Sequence, residues 1–534
     1  MLPIFPLVVG LAETLGCTEP LPSAAAPRQE GEPDMATPAE HPAVSTQHEL
    51  HRNLTPRHIN LIALGGAIGT GLFVATGASV SSAGPGGALL SYAIIGLAVY
   101  FVMNALGEMA THRPVPGAFE SYSRDYVDPA FGFMMGWNYW YASAMTIAVE
   151  LVAASIVMKF WFPDSSSVVW SALFLAMLLG LNLFSARIFG EGEFWFAGIK
   201  IVTIIVFIIV GLAMIAGIMG GHAVGFQNWT AGEAPFVGGA MGTFGILMVA
   251  GFSFIGVEAT AIAAGEADNP TRTMPKAINS VFWRILIFYM GAIFVMATLI
   301  SYTDPNLLAA SEDNIAASPF TLIFERAGMA AAASVMNAVI LTSVLSAGNS
   351  TLYSGSRLVF SMARNKSAPR FFGKVSRHGV PVYAVVFTAV VSSAAFLTSQ
   401  IGDSVVYTWL YNATGLAGFI AWLGICIAHL RFRAAHRIQG ISIDTLAYKA
   451  KLFPVGTWYA LLVCVAVIIG QGWFAISEGT IDWLGIVVAY VGLPLAVALY
   501  LGFKVLRRTR LVPLATMDLE PHEDHARAHV DERP

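Results

Sequence analysis

Twelve apolar runs of membrane length follow one another between residues 58 and 505. Their approximate bounds are 58–82, 87–111, 131–160, 166–186, 193–219, 237–265, 280–302, 327–362, 380–400, 405–430, 453–477 and 481–505. A run of about 18 or more apolar residues can cross a bilayer as a helix. Hydrocarbon offers no partner to a free N–H or C=O, so a spanning chain must be helical or a closed barrel. Long continuous runs select helices. The expected fold class is therefore an all-α membrane protein with twelve transmembrane helices. Composition agrees, because only 12% of residues are charged and 56% are hydrophobic, where a soluble domain carries about 25% charged residues.

Lys and Arg alternate between the links. The first, third and fifth links read "SSAGPGG", "FPDSSS" and "GGHAVGFQNWTAGEAP" and hold no basic residue. The others carry Arg113 and Arg124, then Arg187, then Arg272, Lys276 and Arg284, and later "ARNKSAPRFFGKVSRHG", "LRFRAAHRIQG" and "KVLRRTR". Only Lys159 and Arg326 fall near the opposite side. Basic loops stay cytoplasmic, so both termini are expected there, and the unbroken alternation supports the span count. Residues 1–50 are rich in Pro, Ala, Glu and Ser and are expected to form a disordered tail. No basic residue precedes the short apolar stretch 2–11, which argues against a secretory signal. A start of translation at Met35 is a plainer expectation. The transporter domain is expected at 51–510, with a cytoplasmic tail at 511–534.

Several chemistries are excluded. A net charge of −4 gives no basic surplus for nucleic acid. Cys17, Cys426 and Cys464 have no metal or redox spacing. There is no HExxH, no GxSxG elbow and no Cys/His pair, so neither enzyme activity, metal nor cofactor is expected.

"GGAIGTGLF" (65–73) places Gly65, Gly66, Gly69 and Gly71 inside the first run. Each glycine costs about 1 kcal/mol relative to alanine in a helix interior. Close helix packing through small residues is one reading; a discontinuous helix that binds a ligand is the other. The sixth run decides between them. "VAGFSFIGVEATAIAAGE" (249–266) also holds internal glycines, Gly251 and Gly256, beside the acid Glu258. Runs one and six correspond if two five-helix halves, about 58–219 and 237–430, are inverted repeats, with helices 11–12 (about 453–505) appended. Paired interrupted spans point to a midplane site. Half-helix ends present N–H groups to an anion and C=O groups to a cation, which suits a zwitterion.

These stretches, "GWNYWY" (136–141), "SPFTLIFERAGM" (318–329), "MNAVILTSVLSAGNS" (336–350) and "FIAWLGICIAHLRFR" (419–433) resemble the bacterial amino acid transporter family within the amino acid–polyamine–organocation superfamily, and within it the lysine-specific permeases. The resemblance covers about residues 50–510. It implies an inverted 5+5 repeat (LeuT-like) plus two helices, in a bacterial cytoplasmic (inner) membrane, and proton-coupled import of an amino acid, lysine foremost. A permease for arginine, histidine or aromatic residues, or an exchanger, is the alternative. It also implies substrate contacts at Ile68, Gly69, Thr70 and Gly71 and at Phe252, Ser253, Phe254 and Ile255, with proton coupling through Lys200 of the fifth span.

Ionisable groups inside a bilayer are functional by default. Lys200 is expected to brace the first helix against the eighth. Glu258 is a proton site or a polar prop near the substrate, and Glu150 of the third span could face the same cavity. Glu108 and Glu266, at helix ends, are gate candidates. A lysine side chain would need acceptors, drawn from Glu258, Glu150, Ser346, Asn349, Asn412, Thr414 and Tyr139. Ser143 stands where lysine permeases carry tryptophan, and a wider pocket is expected there. The expected partners are the amino acid, protons and the lipid bilayer.

Overall fold

The computed structural model describes residues 68–520 apart from 74, 116, 185, 220–222, 264–269, 306, 308–317, 329 and 472–482. The tail 1–50 with Met35, the start of the first apolar run, Glu266 and residues 521–534 lie outside the described residues. All regular structure among them is helical, with no strand. The helices used below are α1 (Thr70–Phe73), α2 (Ala75–His112), α3 (Phe119–Tyr126), α4 (Pro129–Met158), α5 (Ser167–Leu183), α6 (Ala186–Ile215), α7 (Gly239–Phe252), α8 (Ala259–Ala263), α9 (Pro270–Trp283), α10 (Ala292–Leu299), α11 (Pro319–Arg326), α12 (Ala330–Arg364), α13 (Val382–Ser392), α14 (Asp403–Gln439), α15 (Val455–Gly470), α16 (Trp483–Tyr490) and α17 (Gly492–Arg507).

Among the described residues, seven helical segments are long and apolar enough to cross a membrane, and Ser167–Leu183, Gly239–Phe252 and Val455–Gly470 are shorter apolar helices. The chain is a multi-pass membrane protein. Span six is cut after Phe252. Within α2 two helices meet at a kink, where Gly84 is non-helical (φ +73°, ψ 176°) and Pro85 follows. The amides freed there are satisfied from outside, since Gly86 N and Gly87 N both donate to Pro235 O.

Burial ranks the helices. Of the most apolar window of Pro129–Met158, 94% is buried inside the protein, against 28% for Phe189–Ile215. Helix α4 is thus the central post, with α12 and α14 packed along it, while much of α6 turns outward. The two basic residues at the sparsely charged end are both neutralised, Lys159 by Asp403 and Arg326 by Asp304. Arg284, counted from sequence with the loop charges, is fully buried in a π-helical turn, Arg284–Gly291, between α9 and α10.

Candidate substrate site

The site is built on two helix ends that meet. The carbonyl of Gly69 accepts from Leu72 N and Phe73 N, which starts α1 at that residue. Helix α7 ends at Phe252, and residues 253–258 form successive turns before α8. Gly256 has φ +97°, a conformation that L side chains rarely adopt, so a glycine is needed for the chain to turn there. The start of α1 and the break after α7 touch backbone to backbone. A Cβ on Gly71 would overlap the Cα of Ser253. Ser253 Oγ donates to Gly71 O at 2.8 Å, and Tyr289 Oη donates to Ser253 O at 2.6 Å. Tyr92 Oη lies 2.9 Å from Ser253 Oγ. Three elements therefore fix the seam through one serine.

Two carboxylates flank the seam from different helices. Glu258 closes on its own turn, with Oε1 accepting from Gly256 N at 3.1 Å and Oε2 from Trp422 Nε1 of α14 at 3.2 Å. It also faces Tyr139 and Arg284. Glu150 reaches from the central post α4 to α1, where its Oε1 accepts from Thr70 Oγ1 at 3.3 Å. Contact there is so close that a Cβ on Gly69 would stand 2.5 Å from Glu150 Oε1. Lys200 of α6 is fully buried and interacts electrostatically with Glu193, about two turns away on the same face of its own helix, and with Glu150.

A cavity lies at the seam, lined by Gly69 and Gly71, by Phe252, Ser253, Ile255 and Gly256, by Thr146 and Glu150, and by residues of α8 and α12. The centre of a water molecule can roam only about 20 Å³ of it, roughly the space of one ordered water. A guest larger than a water molecule requires the walls to move apart.

The sequence-derived residues fall into distinct places. Gly69, Gly71, Phe252, Ser253 and Ile255 line the cavity with Glu150. Ile68, Thr70, Phe254 and Glu258 are buried beside it, Phe254 against the rings of Tyr289 and Tyr92. Tyr139 packs edge-on against Phe119 of α3 and turns toward Glu258. Ser346 and Asn349 are engaged elsewhere, both donating to Glu193 at 2.8 Å. Thr414 Oγ1 is turned to Leu410 O of its own helix. Asn412 lies within α14, its side chain outside the described residues, as is Glu266. Glu108 is far from the seam, accepting from Arg433 Nη2 at 2.6 Å and from Ala450 N at 2.5 Å. Ser143 does not widen the cavity, since it packs against Gly355 of α12 and donates to Tyr139 O.

Two buried charged groups were not singled out from the sequence as parts of the site. Glu193 sits at the edge of the fifth apolar run and is fully buried. Its spacing of seven from Lys200, two helical turns, was the available signal. Arg284 was hidden by its membership of a basic loop cluster.

Comparison with known proteins adds the identity. Residues 58–514 match the model of the amino acid permease family. The chain is 51% identical to the lysine-specific permease of Escherichia coli strain K12 over 88% of this chain and 96% of that one. It is 48% identical to the lysine-specific permease of Lactococcus lactis (90% and 95% covered) and 46% identical to the histidine permease of the same organism (89% and 99%). A crystal structure of a manganese transporter from Eremococcus coleocola superposes with a TM-score of 0.51 at 14% identity, covering 85% of this chain and 94% of that one, which is a likeness of fold. With a matched stretch that holds the seam, the cavity and every buried carboxylate described above, the chain belongs to the amino acid permease family.

Proposed function

We propose that this protein imports an α-amino acid, L-lysine foremost, across the bacterial cytoplasmic membrane together with a proton. The observation that carries the reading is the seam of α1 and α7–α8, where two helix ends and a cavity meet at Gly71 and Ser253. Helix ends offer partial charges of both signs, which is what the two ends of a zwitterion require. Lysine comes first because relatives at 51% and 48% identity are lysine-specific permeases. Histidine is the second reading, favoured by the histidine permease at 46%.

The twelve spans form two inverted five-helix halves plus two helices, with both termini on the cytoplasmic side where the basic links gather. The substrate contacts are Ile68, Gly69, Thr70, Gly71, Phe252, Ser253, Phe254 and Ile255, with Glu258 holding the turn. Lys200 carries the coupled proton; its burial with Glu150 and Glu193 supports that role. Glu108 and Glu266 act as gate residues.

Proteoliposomes loaded at neutral pH and diluted into acidic medium should accumulate labelled lysine. Unlabelled lysine should compete best among the amino acids. Accumulation of histidine in preference to lysine would move the assignment to the second reading. Lys200→Met should retain counterflow exchange but lose acceleration by the pH gradient; uptake still driven by pH in that variant would refute the assigned proton carrier.

A further inference from the structure

The polar atoms around the cavity are unevenly satisfied. Among the described residues that line it, three side-chain oxygens are buried without a hydrogen-bond partner: Thr146 Oγ1, Glu150 Oε2 and Ser350 Oγ. All three residues are more than nine-tenths buried, at 8%, 4% and 6% exposure. By contrast Thr351, on the same wall, is satisfied by Ala347 O at 2.8 Å. Buried polar groups are normally hydrogen-bonded, and an orphan needs a reason.

The three come from two helices that are held together here. Thr146 and Glu150 are one turn apart on α4, so they share a face. Ser350 lies on α12, where a Cβ on Gly348 would stand 3.7 Å from Glu150 Cβ. Ser350 also faces Glu193 without a hydrogen bond of good geometry to it, and its oxygen can accept from another donor. All three atoms can accept.

Charge points the same way. Glu150 and Glu193 share one ammonium, that of Lys200. Arg284, the other cation acting on Lys200, has Glu258 as its carboxylate. A cationic guest at Glu150 would therefore meet a carboxyl that has only a shared ammonium for a counter-charge.

We propose that Thr146, Glu150 and Ser350 form a three-oxygen receptor for the side-chain ammonium of the substrate. A primary ammonium has three N–H donors and no acceptor, which matches three separate oxygens, one of them anionic. A guanidinium is a flat fork that seeks paired, coplanar acceptors, and it fits this set less well. The receptor rests on the transport reading above and adds to it the part of the site that distinguishes side chains. Cavity expansion during transport would admit the guest to atoms that already await it.

The test measures binding to the purified full-length protein in lipid nanodiscs, with L-lysine and with L-norleucine, whose side chain lacks the ammonium. Wild-type protein should favour lysine by about a hundredfold, since a charged group that loses its partners weakens binding by one to two decades. Thr146→Val and Ser350→Ala should each weaken lysine by about tenfold and leave norleucine unchanged. Glu150→Gln should bring the two ligands within about threefold of each other. Thr146→Ser should restore lysine binding. Lysine preference that survives in Glu150→Gln, or equal losses of both ligands in Thr146→Val and Ser350→Ala, would overturn the receptor. Wild-type binding of amino acids without preference for lysine would overturn the receptor while leaving amino acid transport standing. A wild-type protein that binds no amino acid would overturn both.

Discussion

The seam at Gly71 and Ser253 and the basic end of the bundle are both rich in buried polar groups, but they are finished differently. At the basic end the carboxylate of Glu108 is fully subscribed, by Arg433 Nη2, His429 Nε2 and Ala450 N. Asp128, the N-cap of α4, accepts from Ala130 N, Lys504 Nζ and Thr509 Oγ1. A strap of chain after α17 completes this end. Val512 N donates to Val127 O, Gln439 Nε2 donates to Leu514 O and Met517 O, and the Leu519 carbonyl meets His112 Nε2. At the seam the unpaired oxygens border a cavity; the basic end also leaves Thr111 Oγ1, Glu120 Oε1, Ser123 Oγ and Tyr126 Oη unpaired, so the difference lies in the carboxylates of Glu108 and Asp128 and in the strap that closes over them. A satisfied polar cluster holds helices in one arrangement; an unsatisfied one keeps open a place for something else. The same residue types serve as latch or receptor according to what their neighbours leave unpaired.

The largest effect should come from closing the seam itself. Gly71→Ala puts a Cβ into the backbone of Ser253, and overlap of this kind costs up to about 3 kcal/mol, or roughly a hundredfold in rate. Initial lysine uptake should fall by about that factor in Gly71→Ala while the protein still elutes as a monodisperse species. Gly502→Ala, where nothing lies within 4 Å, should be neutral. Equal uptake by the two variants would show that the contact of α1 with the break after α7 is dispensable.

The latch predicts a loss of stability in place of a loss of specificity. Glu108→Gln leaves Arg433, 7% exposed, without its counter-charge, and breaking a buried pair by removing one partner costs about 3–5 kcal/mol. Thermal unfolding in detergent should show the lowered midpoint, and the lysine-to-norleucine ratio should stay as in the wild type. A changed ratio would mean that the two regions are not separate.

Much of this division was legible in the sequence, and the illegible part has a common cause. Glycines in the sixth run announced its break at 253–258, because glycine is costly in an ordinary spanning helix; in the first run they mark the start of α1, and the residues before 68 lie outside the described ones. Glu258 and Glu150 stood out as charges where hydrocarbon forbids them. What the letters do not carry is which way a side chain faces. Ser346 and Asn349 read as ligand groups, and the structure gives them to Glu193. Ser143 read as pocket wall, and it packs on Gly355. The stretch "LVPLATMDLE" read only as the start of a cytoplasmic tail, because single buried residues such as Met517 and Leu519 have no periodicity to reveal them.

A smaller effect is expected from pH at the basic end, through Glu120 of α3. Burial raises its carboxyl to about 7, against the pull of Arg124, Ser121 and Asn365. An acid raised on folding holds its proton more tightly in the folded chain. Its contribution is full below the ordinary value of 4.5 and is lost as pH rises through about 7. Asp128 has the opposite sign: burial would raise it, but the bonds from Lys504, Thr509 and Ala130 win and lower it, so its contribution is lost in acid. The unfolding midpoint should therefore decline between pH 4.5 and 7, and Glu120→Gln should flatten that decline. An unchanged slope in the variant would assign it to another group.

The smallest effect tests whether the strap is a fastening or a gate. Gln439→Ala removes both bonds to the strap, at 2.9 Å to Leu514 O and 2.8 Å to Met517 O. Neutral hydrogen bonds contribute about 1 kcal/mol each, and Gln439 is only part-buried, so the two together should be worth little more than that. Val512 N and the Leu519 carbonyl would still be held. Amide exchange across residues 512–519 should quicken severalfold, with uptake rates unaltered. If transport speeds up in Gln439→Ala, the strap restrains the moving helices, and the basic end is then a brake released in each cycle rather than a permanent latch.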